Sequence, residues 1–267
     1  MRLVILGDSH VTALGEGLVE LKREGRISLP GEVHVLKVFN GPDTLERFFE
    51  ATEGGVGFTD PRVGDALQGA ISARVLVARE SDDVYALSMG LMTTLFVRLL
   101  DWRRYVPAAF APPTGKAMVV SEAVVRAIAL SHNQHVLDFF AAVKLAGLRV
   151  VAISAPPLRL DAPVIADGGR PEVIQTLDRL ARAAVANELA RLEVPVVDPP
   201  DEAYGDGPGG AFLRPEFHRV AVKDHHHGNA AYGRLMVAKV LAQAVEMDRS
   251  GAARPATILV DAARLPG

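Results

Sequence analysis

The chain opens Met1-Arg2-Leu3-Val4-Ile5-Leu6-Gly7-Asp8-Ser9-His10, and this stretch decides how the rest is read. Leucine, valine and isoleucine run without a break and then stop at Gly-Asp-Ser. Such a run is too short for the apolar core of a secretory leader, roughly 7–15 residues, and suits a strand buried on both faces. The same grammar recurs downstream. Val33–Phe39 ends at Asn40-Gly41-Pro42-Asp43, Asp83–Leu87 ends near Ser88-Met89-Gly90, Arg149–Ile153 ends at Ala155-Pro156-Pro157, and Val194–Val197 ends at Asp198-Pro199-Pro200. Helical periodicity fills the gaps: Val11–Glu24, a short Thr44–Glu50, Glu122–Leu148, Pro171–Leu192 and Ala230–Met247. Five strands alternating with helices predict an α/β three-layer sandwich around a parallel sheet.

One domain is expected over 1–248, followed by a C-terminal extension over 249–267 that carries one apolar run, Ile258-Leu259-Val260. Two connections exceed the usual length. Residues 50–82 include a possible extra strand at Ala73–Val77, and 199–223 is glycine-rich. Together with 91–121 they are expected to shape a pocket.

Composition narrows the chemistry. Among 267 residues there are 29 Lys+Arg, 32 Asp+Glu, eight His and no Cys. A net charge of −3 lacks the basic footprint of a nucleic-acid binder. No apolar run approaches the roughly 20 residues of a spanning helix, so a soluble, cytoplasmic protein without a membrane partner is expected. Without cysteine, disulfides, thiolate metal sites and thiol nucleophiles are excluded. Covalent catalysis must come from another nucleophile, and Ser9 is well placed for it. In an open α/β sheet ligands bind at the carboxyl rim of the strands, and a serine at a helix start lies among backbone N–H groups. Its hydroxyl needs a base. The candidate lies far along the chain in Asp224-His225-His226-His227-Gly228-Asn229, just before the last helix. Three positions before His227, Asp224 can orient it within one turn.

A Gly-Asp-Ser after the first strand, paired with Asp-x-x-His-x-Asn before the final helix, resembles the SGNH/GDSL hydrolase superfamily. That resemblance implies a five-stranded, flavodoxin-like parallel sheet and a triad of Ser9, Asp224 and His227. It implies an oxyanion hole from the N–H groups of Ser9 and Gly41, with no cofactor and no metal. The implied reaction is hydrolysis of an acetyl or short acyl ester, on a carbohydrate or another small molecule. Acyl transfer to a hydroxyl would use the same residues.

In one place the chain departs from the family. Where the family carries Gly-x-Asn-Asp after the third strand, this sequence reads Ser88-Met89-Gly90-Leu91-Met92-Thr93. One oxyanion donor is absent there, a loss that typically costs about 10²–10³ in rate, and a weak or inactive binding protein is the alternative. A substitute is expected from 122–148, too long at about 40 Å to be one helix across a sheet. Ser131 would cap a second helix over His132–Gly147, bringing Asn133, or else His132 or Gln134, to the rim.

Simpler readings stand beside these. Ser9 is also a good helix cap, and His10 a packing residue. The histidine run could ligate zinc with Asp224 and His218, although consecutive side chains diverge. His225 and His226 are expected to face solvent or a lid. Trp102-Arg103-Arg104-Tyr105 is either a substrate entrance or an exposed cluster, and Gly54-Gly55-Val56-Gly57 is an ordinary loop.

Overall fold

Arg2–Gly7 (β1) runs down the middle of the molecule, and its side chains go alternately to the two faces. Val4 and Leu6 enter one apolar cluster and Leu3 and Ile5 the other, all with no exposed surface. The computed structural model describes residues 1–27, 31–78, 83–89, 91, 94–99, 102, 104–111, 118–205, 212–221 and 224–252. The Gly90, Met92 and Thr93 positions, Arg103, the glycine run 206–210 and the extension from 253 onward lie outside the described residues.

The elements follow in the order β1, α1 (Val11–Arg23), β2 (Glu32–Lys37), β3 (Phe49–Thr52), β4 (Gly55–Phe58), α2 (Pro61–Ile71), β5 (Asp83–Ser88) and α3 (Thr94–Val97). Next come β6 (Tyr105–Pro107), β7 (Met118–Val120), α4 (Glu122–His132), α5 (Gln134–Leu145), β8 (Arg149–Ile153), α6 (Pro163–Ala166), α7 (Pro171–Arg191), β9 (Val196–Val197) and α8 (Ala230–Ala252). Five strands form a sheet in the order β2-β1-β5-β8-β9, every pair parallel. Numbered within the sheet this is 2-1-3-4-5, the flavodoxin-like order, whose direction reverses beside β1. The expected fold class is the one observed.

Helices α1 and α8 cover one face. Val11, Leu14, Leu18 and Leu21 meet Tyr232, Met236, Val237 and Val240 over Leu3, Ile5, Val84 and Val151. The opposite face is filled by α2, α5 and the C-terminal half of α7, with Leu67, Ile71, Phe139, Phe140, Val185 and Leu189. A third cluster, outside the sheet, joins α4 and the first half of α7 to Phe96 and Trp102.

Several expectations change. Thr44–Glu50 is not a helix: a single 3-10 turn occupies Gly41–Leu45, and Phe49 already starts the β3–β4 hairpin. Gly54 sits at that hairpin's tip. Ala73–Val77 contributes only one bridge, Leu76 to Val56. Helix α2 was not foreseen, although Asp60 accepts a hydrogen bond from the Arg62 N–H and Pro61 opens the first turn. Between α4 and α5 the chain breaks at Asn133, two residues beyond the expected Ser131, which lies inside α4. The reason is local. Asn133 takes φ −107° and its side-chain amide donates to the Ala129 carbonyl at 2.8 Å, competing with the helix for that acceptor. Finally, α8 continues to Ala252, past Met247.

Candidate active site

Three turns meet at the carboxyl rim of the sheet. The first is Asp8-Ser9-His10, between β1 and α1. Asp8 is buried, and its carboxylate accepts the His10 N–H at 3.0 Å, closing an Asx-type turn that starts the helix. Burial pushes the Asp8 carboxyl up to about 7, against the pull of the His10 N–H and the Lys37 charge. Ser9, half-buried, stands in the middle of this turn.

The second turn, Asp224 to Asn229, is clamped from two sides. Arg219 donates its N–H to the His227 carbonyl at 3.1 Å, and Asn229 donates its N–H to Phe217 at 2.9 Å. The Asn229 side chain caps α8 by accepting the Tyr232 N–H at 3.1 Å, while its amide donates to the Glu216 carbonyl at 2.7 Å. The Arg219 side chain reaches Glu16 on α1 at 2.9 Å, tying this turn to the helix that Ser9 begins.

Helix packing completes the convergence. Gly17 on α1 and Gly233 on α8 face each other so closely that a Cβ on Gly233 would collide with the Ala13 carbonyl, and one on Gly17 with the backbone of 233–234. Two glycines thus let the helices touch backbone to backbone near their first turns. Because α1 begins just after Ser9 and α8 just after His227, the crossing brings together residues 218 positions apart.

The Ser9 hydroxyl lies 2.6 Å from His227 Nε2, in position to donate to it. On the other side of the ring, His227 Nδ1–H donates to Asp224, with both carboxylate oxygens at 3.0 Å. Asp224 also accepts the backbone N–H groups of His227 at 3.1 Å and His226 at 3.3 Å. Burial raises its proton affinity, but those N–H groups and the His227 ring outweigh this and hold the carboxyl below its ordinary value. His227 is held below the usual histidine range by burial, with Asp224 opposing and the charges of Arg219 and Lys37 assisting. The serine therefore faces a neutral imidazole at neutral pH.

His10 packs, in line with the sequence reading, whereas His226 is not turned to solvent or a lid. His10 is buried with its ring 4.8 Å from that of His227. His226 lies over His227, with ring centroids 3.9 Å apart and 39° between planes, and burial followed by the His227 charge pushes it down to about 4. His225 turns away towards Asp161, at 3.9 Å. Asp224, His226 and His227 do present ligand atoms within 4.8 Å of one another. The two rings lie nearer to stacked than to convergent, so their in-plane lone pairs do not aim at a common ion. His218, the other ligand considered, bonds instead to the Leu213 carbonyl at 2.9 Å.

The third turn is Asn40–Leu45. Asn40 and Asp43 form a reciprocal capping box, and Gly41 occupies the first position of the 3-10 turn, where its N–H is left for an outside acceptor. A cavity of about 10 Å³, room for one oxygen-sized atom, is lined by Asp8, Thr44, Leu45, Leu95, Phe96, His132 and Asn133. Asn133 and His132 therefore line the cavity on the Asp8 side of the rim, and the Asn133 amide already donates once to the Ala129 carbonyl. Trp102 is no exposed cluster: it is buried, donates its indole N–H to the Phe96 carbonyl at 2.9 Å, and lines a cleft with Arg98.

A flavodoxin-like sheet thus carries a serine, a histidine and an aspartate in hydrogen-bonded series at its carboxyl rim. Several solved structures are similar to this chain. An acetyl xylan esterase aligns at TM-score 0.46 and 11% identity, over 91% of this chain and 99% of its own. A carbohydrate acetylesterase family member from Sinorhizobium meliloti aligns at TM-score 0.45 and 13% identity, over 93% and 100%. A GDSL-like lipase from Bacteroides thetaiotaomicron aligns at TM-score 0.43 and 13% identity, over 92% and 88%. No protein-family model matches the chain, and no curated protein matches it in sequence. Among the described residues no helix is long and apolar enough to cross a membrane.

Proposed function

We propose that this chain is a serine esterase that cleaves an acetyl or short acyl ester through an acyl-enzyme. The observation that carries the reading is the unbroken series Ser9 Oγ–His227 Nε2 at 2.6 Å and His227 Nδ1–Asp224 at 3.0 Å. In the first half-reaction Ser9 Oγ attacks the carbonyl carbon while its proton passes to His227 Nε2. Asp224 stabilises the imidazolium that forms and holds the tautomer that leaves Nε2 free. The tetrahedral oxyanion accepts the N–H groups of Ser9 and Gly41. A third donor is assigned to Asn133, whose amide carries two hydrogens and gives one to Ala129. The C–O bond to the alcohol then breaks, and the alcohol leaves with the proton from His227. In the second half-reaction water attacks the acyl-Ser9 carbonyl, and His227 again moves the proton.

The family resemblance of the two motifs supports the same reading, as do the names of the similar structures, which point to acetyl groups on carbohydrate as the first esters to try. The test is hydrolysis of 4-nitrophenyl acetate by the wild type and by Ser9→Ala. Turnover should fall by about 10⁴-fold or more with the far-UV spectrum unchanged. Undiminished turnover in the variant would refute the assignment of Ser9.

A further inference from the structure

The charges that weigh most on the three clustered histidines, Asp224 apart, are all cationic, although the chain as a whole is acidic at −3. Arg182 acts on His10, Arg98 and Arg159 on His226, and Arg219 and Lys37 on His227. Three of these five have carboxylate partners: Arg159 with Asp161, Arg182 with Asp178 and Arg219 with Glu16. Lys37 and Arg98 are different. Both are exposed, and neither makes an ion pair or side-chain hydrogen bond among the described residues.

They stand on opposite sides of the nucleophile. Lys37 ends β2 directly opposite Gly7, two residues before Ser9, and lines a cleft of about 290 Å³. The carboxylates of that cleft are engaged, Asp43 by the Asn40 N–H at 2.7 Å and Asp60 by Arg62 at 2.6 Å. Arg98 follows α3, whose Leu95 and Phe96 border the small cavity at Asp8. With Trp102, Val164, Ile174 and Asp167 it lines a second cleft of about 230 Å³, largely apolar. Arg62 in the first cleft is paired with Asp60, and Asp167 in the second has contacts of its own. Each recess thus keeps one cation, Lys37 or Arg98, without a carboxylate partner among the described residues and open to a negatively charged group of modest size.

We infer that the ester taken by this site carries a carboxylate, received by Lys37 on one side of Ser9 or by Arg98 on the other. The inference rests on the esterase reading and adds a substrate class to it. A guanidinium fork matches a carboxylate well, and an ammonium meets it as a point charge.

The experiment pairs each anionic ester with a neutral partner of nearly the same shape. 3-Acetoxybenzoate with its methyl ester puts the charge on the alcohol side, and mono-4-nitrophenyl succinate with its methyl ester puts it on the acyl side. For one pair, kcat/KM of the anionic member should exceed that of the neutral one. That ratio should fall about fivefold in Lys37→Met or in Arg98→Met, and should shrink in 0.5 M NaCl. The variant that responds identifies which side receives the charge. Equal turnover within both pairs, or ratios that neither variant changes, would overturn the inference and leave the esterase reading standing. Turnover of the neutral esters that survives Ser9→Ala would instead bring down the esterase reading itself.

Discussion

The two sides of the rim are built in different ways. On one side, Ser9 and His227 are placed by α1 and α8, which touch backbone to backbone through Gly17 and Gly233 over a close-packed sheet face. On the other, the groups that would hold an oxyanion and a substrate come from turns and short pieces: the 3-10 turn at Gly41, the four-residue α3, and the break between α4 and α5 at Asn133. The proton-transfer side has almost no freedom to vary, because moving either helix would separate the serine from its base. On the proposed reading, the recognition side is free to exchange donors, and a helix junction would answer for the asparagine absent after β5.

Four perturbations sharpen or break that contrast. Asp224→Asn should be the most severe, lowering kcat about 10⁴-fold, because an amide both loses the charge and favours the wrong tautomer of His227. Steady-state kinetics with 4-nitrophenyl acetate reads this directly, and a loss under tenfold would show that His227 is oriented some other way. Gly233→Ala comes next. Its methyl has nowhere to go against the Ala13 carbonyl, so about 1–3 kcal/mol of stability should be lost in urea unfolding, together with activity. A variant as stable and active as the wild type would mean that the helices can part without cost to the site.

On the recognition side, Asn133→Ala should cost about 10²-fold in kcat with little change in KM, the mark of a contact made mainly in the transition state. A rise in KM alone would move Asn133 from the oxyanion to ground-state binding. The smallest effect is expected at Asp8. Its carboxyl is raised in the folded protein to about 7 from an ordinary value near 3.8. The unfolded chain therefore gives up that proton first, and stability falls as pH rises from about 4 through about 7. Asp8→Asn removes this dependence, so its melting temperature relative to wild type should improve by about 5 °C between pH 5 and pH 8. A constant offset across that range would assign the decline to other groups.

The same contrast explains what could be read from the residues alone. Strands β1, β5 and β8 announce themselves because they are buried on both faces and carry unbroken apolar runs. Ser9, Asp224 and His227 could be singled out because each sits at a strand or helix boundary in a recognisable spacing. Asn133 could be suspected only from the excessive length of 122–148, and the break was misplaced by two residues because Ser131 looks like a cap. What ends α4 is a side chain returning to its own helix, a tertiary choice that propensity does not encode. Helix α2 was legible in Asp60-Pro61 and in the spacing of Val63, Leu67 and Ile71, and was obscured by the glycines before it. The glycine pair at 17 and 233 gave no signal, since nothing in either local sequence says which distant helix will lie against it. His226 stacking on His227 was hidden for a similar reason: consecutive residues in an extended segment diverge, but the Asp224 turn folds the two rings over one another.

The contact between α1 and α8 also has a temporal meaning. Ser9 leaves the ribosome 218 positions ahead of His227. At ordinary synthesis speeds of about 5–20 residues per second, roughly 10–40 s pass before the base exists to meet its nucleophile. Throughout that interval the serine is an ordinary alcohol at a helix start. On the proposed reading, reactivity is switched on only when the last helix docks, and a truncated chain would carry Ser9 in harmless form.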